Sequence, residues 1–191
     1  ISLPDGSIVL VEIKTGRLTR VRDGDKETIA ELGGGPNGAA IGPDGYCYVC
    51  NNGGFEWIER NGKTYPGEQP ASYAGGSIQK VDLQSGEFST LYTHCDGEAL
   101  KGPNDIVFDA QGGFWFTDHG KNRARDKDRT GVFYALPDGS QITEAIFPLE
   151  APNGIGLSPD EQELFVAETP TGRLWAYPLA GPGVIDADKP R

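Results

Sequence analysis

The 191-residue sequence reads as an all-β chain, on its composition and on a repeated pattern. Its 28 glycines and 14 prolines mark many tight turns between short strands. No stretch carries the periodicity of a long amphipathic helix. A turn followed by an apolar run recurs four times: Pro4-Asp5-Gly6, Pro43-Asp44-Gly45, Ala110-Gln111-Gly112 and Pro159-Asp160-Glu161 precede SIVLVE, YCYVCN, GFWFTD and ELFVAE. Self-similarity at this period, with about four short strands per unit, predicts a β-propeller.

Taken in order, each apolar run closes on a polar residue: Glu12, Asn51, Asp118 and Glu168. A further strand with a glycine signal follows each, in TGRLTRV, GGSIQKVD, TGVFYAL and TGRLWAY. Six residues before the turn, the last three units carry Pro-Asn, at Asn37, Asn104 and Asn153. The same register puts the first unit's equivalent three places before Ile1. The units fall near 1–34, 35–100, 101–149 and 150–191, a single partial propeller of about four blades. Four units do not close a ring at the angular width usual for six, so the expectation is a fragment cut at both ends.

The spacing between units is uneven. Asn37 and Asn104 are 67 residues apart, Asn104 and Asn153 only 49. The excess falls in 56–76, which reads as a loop insertion without periodicity. The segment 121–131 holds five basic residues and two aspartates. It reads as a solvated turn, or as a rim that attracts an anionic substrate.

Phe114, Trp115 and Phe116 are bulky on consecutive positions, so their strand is expected to be covered on both faces. Three cysteines argue against a disulfide framework. Cys47 and Cys50 lie three apart in one strand and point to opposite faces, as buried small hydrophobes that neither pair nor share a metal. That usage fits a reducing compartment, and a cytoplasmic location is the expectation. A net charge of −11 makes nucleic acid or an anionic membrane a poor partner. No run of about 18 apolar residues is present to span a bilayer.

If the blades are radial, Asn37, Asn104 and Asn153 converge on the channel from three units. Amide oxygens are hard, neutral donors, suited to Ca²⁺ or Mg²⁺ rather than zinc, and they need carboxylates beside them to hold a cation tightly. Pro-Asn-Gly is equally good turn chemistry, and both readings stand. His119, after Asp118 at a strand end, is a weak candidate proton carrier or substrate contact, against a plain rim histidine. Glu12 and Glu168 are candidate partners of a metal site, against surface or inter-blade bonding. His94 is expected to face solvent. There is no GxSxG, phosphate loop or zinc spacing.

GPNDIVFDAQGGFWFTDHG, with APNGIGLSPDEQELFVAET and PDGSIVLVEIKTGRLTRV, resembles the gluconolactonase/senescence-marker/luciferin-regenerating-enzyme family over essentially the whole chain. The resemblance implies a six-bladed propeller with one divalent metal in the channel, usually Ca²⁺, with Mg²⁺, Zn²⁺ or Mn²⁺ as other ions. It implies metal ligation by Asn104 of GPND and Asn153 of APNG. It places a ligand Glu three residues before Ile1, and an Asp, ligand and general base, beyond Arg191. Asn37, Asn104, Asp118 and His119 are the candidate substrate contacts. An Arg that meets sugar lactone in some members is Gly102 here. The function implied is a metal-dependent hydrolase opening a sugar-type lactone, active in the intact parent. The alternatives are a phosphotriesterase-like hydrolase on the same site and a non-catalytic binding platform.

Overall fold

The structure is a computed structural model and describes residues 1–188. It is all-β, with no helix among the described residues. Blade 1 holds β1 (Ile8–Glu12), β2 (Arg17–Arg22) and β3 (Asp25–Glu31). Blade 2 holds β4 (Pro36–Ile41), β5 (Cys47–Asn51), β8 (Ser77–Val81) and β9 (Phe88–Tyr92). Two small hairpins accompany it, β6 (Trp57–Arg60) with β7 (Lys63–Pro66), and β10 (His94–Cys95) with β11 (Glu98–Ala99). Blade 3 holds β12 (Pro103–Phe108), β13 (Phe114–Asp118), β14 (Thr130–Ala135) and β15 (Ile142–Leu149). Blade 4 holds β16 (Pro152–Leu157), β17 (Glu163–Glu168), β18 (Arg173–Gly181) and β19 (Val184–Ile185). Within each blade, sequential strands pair antiparallel. The first strands of blades 2, 3 and 4 lie side by side, which makes them the inner strands of a propeller.

Strand alternation builds the core between blades. Val9 and Leu18 pack against Cys47, Val49 and Val81, closing blade 1 on blade 2. The opposite face of β5, Tyr48 and Cys50, packs with Phe114, Phe116 and Phe133 of blade 3. Trp115, on the other face of β13, joins Val132, Leu164, Val166 and Tyr177 toward blade 4. The Phe114-Trp115-Phe116 run is fully buried on both faces, as its pattern predicts. Cys47 and Cys50 fall in different clusters, and all three cysteines are free. Burial pushes the Cys47 thiol up to about 12 and Cys50 well above its ordinary value, which makes both inert packing groups.

The turns follow their sequence chemistry. Asp5, Asp44 and Asp160 accept backbone N–H bonds two residues on, the side-chain mimic of a turn. Gly6, Gly45 and Gly112 take positive φ. In the fourth unit Glu161 takes that conformation at φ 53°.

One expectation about loops is corrected and one choice between readings is narrowed. The 56–76 insertion is not structureless, because it contains the β6–β7 hairpin. Thr64 donates to Glu59 across that hairpin, and a two-residue Asn61-Gly62 turn with both φ positive closes it. Of the two readings of 121–131, the solvated turn fits better than the cationic rim: Arg125, Lys127 and Arg129 are exposed, Arg123 pairs with Asp126 and Asp128, and Lys127 and Arg129 pair with Glu150. Lys121 is buried. No described helix is long and apolar enough to cross a membrane.

Candidate functional site

All three Pro-Asn pairs sit in the same local irregularity. The pairing of β4 with β5 slips between Pro36 and Ala39, of β12 with β13 between Pro103 and Ile106, and of β16 with β17 between Pro152 and Ile155. A β-bulge re-aims a side chain and breaks the ladder locally. Proline suits the site because it has no ladder N–H to lose. Asn37, Asn104 and Asn153 therefore start neighbouring inner strands at one end of the sheets.

Opposite each proline stands the polar residue that closes the next strand: Pro36 faces Asn51, Pro103 faces Asp118 and Pro152 faces Glu168. These residues clasp the chain entering the bulge. Asn51 Oδ1 accepts the Gly35 N–H at 2.8 Å. Asp118 Oδ1 accepts Gly102 N–H at 2.7 Å and Gly120 N–H at 2.8 Å, and its Oδ2 accepts Lys101 N–H at 2.7 Å. Glu168 Oε1 accepts Glu150 N–H at 2.8 Å. Burial raises the Asp118 carboxyl, against the three N–H bonds that lower it. In this arrangement Asp118 fastens backbone with both oxygens. Glu12 is held by Thr19 and Thr15 hydroxyls, and His94 is exposed.

Asn104 is 7% exposed, while Asn37 and Asn153 are half-buried. No side-chain hydrogen bond engages any of the three among the described residues. The Asn104 amide is not among the buried unpartnered groups, so it keeps access to solvent, and a hard cation suits its oxygen. The backbone around it is tightly built. Asp105 N–H donates to Thr117 Oγ1 at 3.1 Å, and the Thr117 hydroxyl donates to the Asn153 carbonyl at 2.5 Å. Asp105 Oδ2 accepts the Ile155 N–H at 3.3 Å, so one residue ties β12 to β16. A Cβ on Gly38 would stand 2.4 Å from the Asn104 carbonyl oxygen, so this close approach of β4 to β12 requires glycine. Gly102 is similarly confined, with a Cβ position 2.8 Å from the Gly120 carbonyl oxygen.

The donor set is neutral. Among the described residues no group of three or more His, Cys, Asp or Glu side chains could hold a metal ion. Asn104 and Asn153 fit a hard divalent ion as two of several oxygen ligands, and the charge would have to come from elsewhere. His119 N–H donates to the Gly102 carbonyl at 2.9 Å. Its Nδ1 is buried without a hydrogen-bond partner, and the ring lies by the Ala151 and Pro152 backbone. Burial pushes the imidazole below 6.5, so the ring is neutral at neutral pH.

The bulges, the Thr117 link and the strand-end clasps were not anticipated from sequence. The repeated polar residue at each strand end was the available signal for the clasps.

A family model described as the SMP-30/Gluconolactonase/LRE-like region matches residues 3–190. Lactonase drp35 of Staphylococcus haemolyticus is 31% identical over 182 residues, 95% of this chain and 47% of that protein. Gluconolactonase of Zymomonas mobilis is 30% identical over 160 residues, 78% of this chain and 38% of that protein. The chain spans about half the length of the curated relatives it matches. A Xanthomonas campestris gluconolactonase structure superposes with a TM-score of 0.71 at 23% identity, over 94% of this chain and 56% of that one. A Staphylococcus aureus virginiamycin B lyase does so at 0.58 and 18%, over 94% and 54%. These likenesses establish the propeller fold, which by itself hosts different chemistries. With the family model running over nearly its whole length, the chain belongs to the SMP-30/Gluconolactonase/LRE-like family.

Proposed function

We propose that the protein containing this chain is a divalent-metal-dependent lactonase acting on a sugar-type lactone, a small-molecule substrate. One observation carries the reading: three Pro-Asn bulges start neighbouring inner strands, and the Asn104 amide is accessible and makes no side-chain hydrogen bond among the described residues. Asn104 and Asn153 would hold the ion, Ca²⁺ in first place. When bound, such an ion polarises a carbonyl and makes a nearby water more acidic.

The chain's own residues supply position. Thr117 fixes the Asn153 backbone through its carbonyl, and Asp105 spans to Ile155. Asp118 holds 101–102, the approach to Asn104. His119 is neutral and half-buried; with its Nδ1 buried, it could meet substrate or accept a proton only through Nε2. Two neutral amides hold a divalent ion only weakly, so activity is proposed for the longer protein and not for residues 1–191 alone.

The test uses the full-length protein on a lactone panel, with Ca²⁺ and with chelator. Chelator-sensitive ring opening, lost together with calorimetric Ca²⁺ affinity in Asn153→Ala, is the expected result. Turnover indifferent to chelator would overturn the metal assignment. Ca²⁺ binding without turnover of any lactone would overturn the substrate class.

A further inference from the structure

The insertion between β5 and β8 leaves and re-enters blade 2 at the end where the Pro-Asn bulges lie, since Asn51 pairs with Ser77. Both of its ends pack on the residues leading into those bulges. A Cβ on Gly35, two residues before Asn37, would stand 2.4 Å from Asn52 Oδ1 and 2.8 Å from Gly54 N. A Cβ on Gly76 would stand 2.3 Å from the Pro103 ring, beside Asn104. Both ends of the insertion thus pack against the segments that lead into the Pro-Asn bulges.

Its middle is held from two other blades. On one side Lys14 of blade 1 pairs with Glu59 and lies over the Trp57 ring. On the other, Gln69 N–H donates to the Asn122 carbonyl, Tyr73 Oη donates to the Lys101 carbonyl at 2.6 Å, and Lys121 enters the insertion itself. Lys121 is 2% exposed. Its Nζ donates to the Gly54 carbonyl at 2.5 Å and to Asn52 Oδ1 at 3.4 Å, and lies 4.3 Å from the Phe55 ring centre and 5.4 Å from that of Tyr73.

We propose that Lys121 is a positioning residue that pins the 52–76 insertion onto the Pro-Asn end of the sheets, and that the insertion so held is the wall by which the site selects among lactones. The second half of this rests on the lactonase reading above; the first half does not. A lysine makes sense here for its reach. Its stem crosses from blade 3, and its ammonium meets two oxygens of blade 2 and two aromatic faces at once. Burial without a direct carboxylate partner pushes this ammonium down to about 8. Ile58 and Tyr65 of the hairpin remain exposed.

The experiment compares full-length wild type with Lys121→Ala and with Tyr73→Leu, at fixed pH. Tyr73→Leu removes one wall of the cage and covers the case in which Lys121→Ala does not fold. Hydrogen exchange is read at the Glu56, Gly67 and Gln69 amides, which are bonded within or from the insertion. Exchange there is expected to quicken by about tenfold or more, with the blade cores unchanged. Kinetics are read on gluconolactone against an unsubstituted six-membered lactone. The ratio of their kcat/KM values is expected to fall by about tenfold, carried by KM rather than kcat. Unchanged exchange in both variants overturns the pin. Faster exchange with an unchanged ratio overturns the wall. If wild type opens neither lactone, the lactonase reading and the wall fall with it, while the exchange result still decides the pin.

Discussion

Asp118→Ala separates a backbone clasp from a substrate contact. The wild-type carboxylate is 1% exposed and accepts three backbone N–H groups, from Lys101, Gly102 and Gly120, at 2.7–2.8 Å. Bonds from N–H to an ionised acceptor are among the stronger ones in a fold. Alanine leaves all three donors without a partner, and each unsatisfied buried donor costs about 1–3 kcal/mol. The Lys101 group is only partly buried and can recruit water, so the expected loss is about 4 kcal/mol rather than the upper sum. Asp118→Asn keeps one acceptor oxygen and should lose about half as much. Urea denaturation of the full-length protein at neutral pH measures both, with Ca²⁺ affinity measured in parallel. The clasp holds the approach to Asn104, so affinity should weaken with stability. An Asp118→Ala protein within about 1 kcal/mol of wild type, yet without turnover, would refute the clasp and return Asp118 to the substrate.

Three further outcomes are expected. Thr117→Val keeps the shape of the side chain but removes its bond to the Asn153 carbonyl; it should cost about 1–2 kcal/mol in denaturation and weaken Ca²⁺ binding. Trp115→Ala should cost about 3–5 kcal/mol, because the fully buried indole fills the blade 3–blade 4 core. Trp115→Phe should cost far less, since the indole N–H has no hydrogen-bond partner to lose among the described residues; equal losses would refute this account. For Lys121, lowered from 10.5 to about 8 by burial, the unfolded chain binds the extra proton between those two values. Stability must then rise with pH across that window. The wild type should gain up to about 3 kcal/mol on Lys121→Ala between pH 8 and pH 10.5. A pH-independent difference in their melts would show that Lys121 is not buried as a cation.

Much of the blade architecture was legible because it is local. The period-2 pattern of YCYVCN and GFWFTD predicts which side chains share a face, and the inter-blade clusters follow that alternation. The Asp-Gly turns also announce themselves, since the residues that tolerate those backbone angles are few. Pro-Asn marked the candidate site by its recurrence, but sequence left turn chemistry and ion ligation equally open. The bulges that set those residues apart depend on the register between two strands, which no single stretch records. Asp118 read as a polar strand end facing a channel. Only the return of 101–102 across β13 turned its oxygens onto backbone N–H groups. The same holds for Lys121, one of five basic residues in a polar segment. Its burial arises from Gly54, Phe55 and Tyr73, which lie some 50 to 70 positions earlier and meet it only when the insertion folds across the blades. Strand identity and facing are set by alternation along the chain. Which polar group is spent on the backbone, and which is left without a side-chain bond, is set by contacts between segments far apart in sequence.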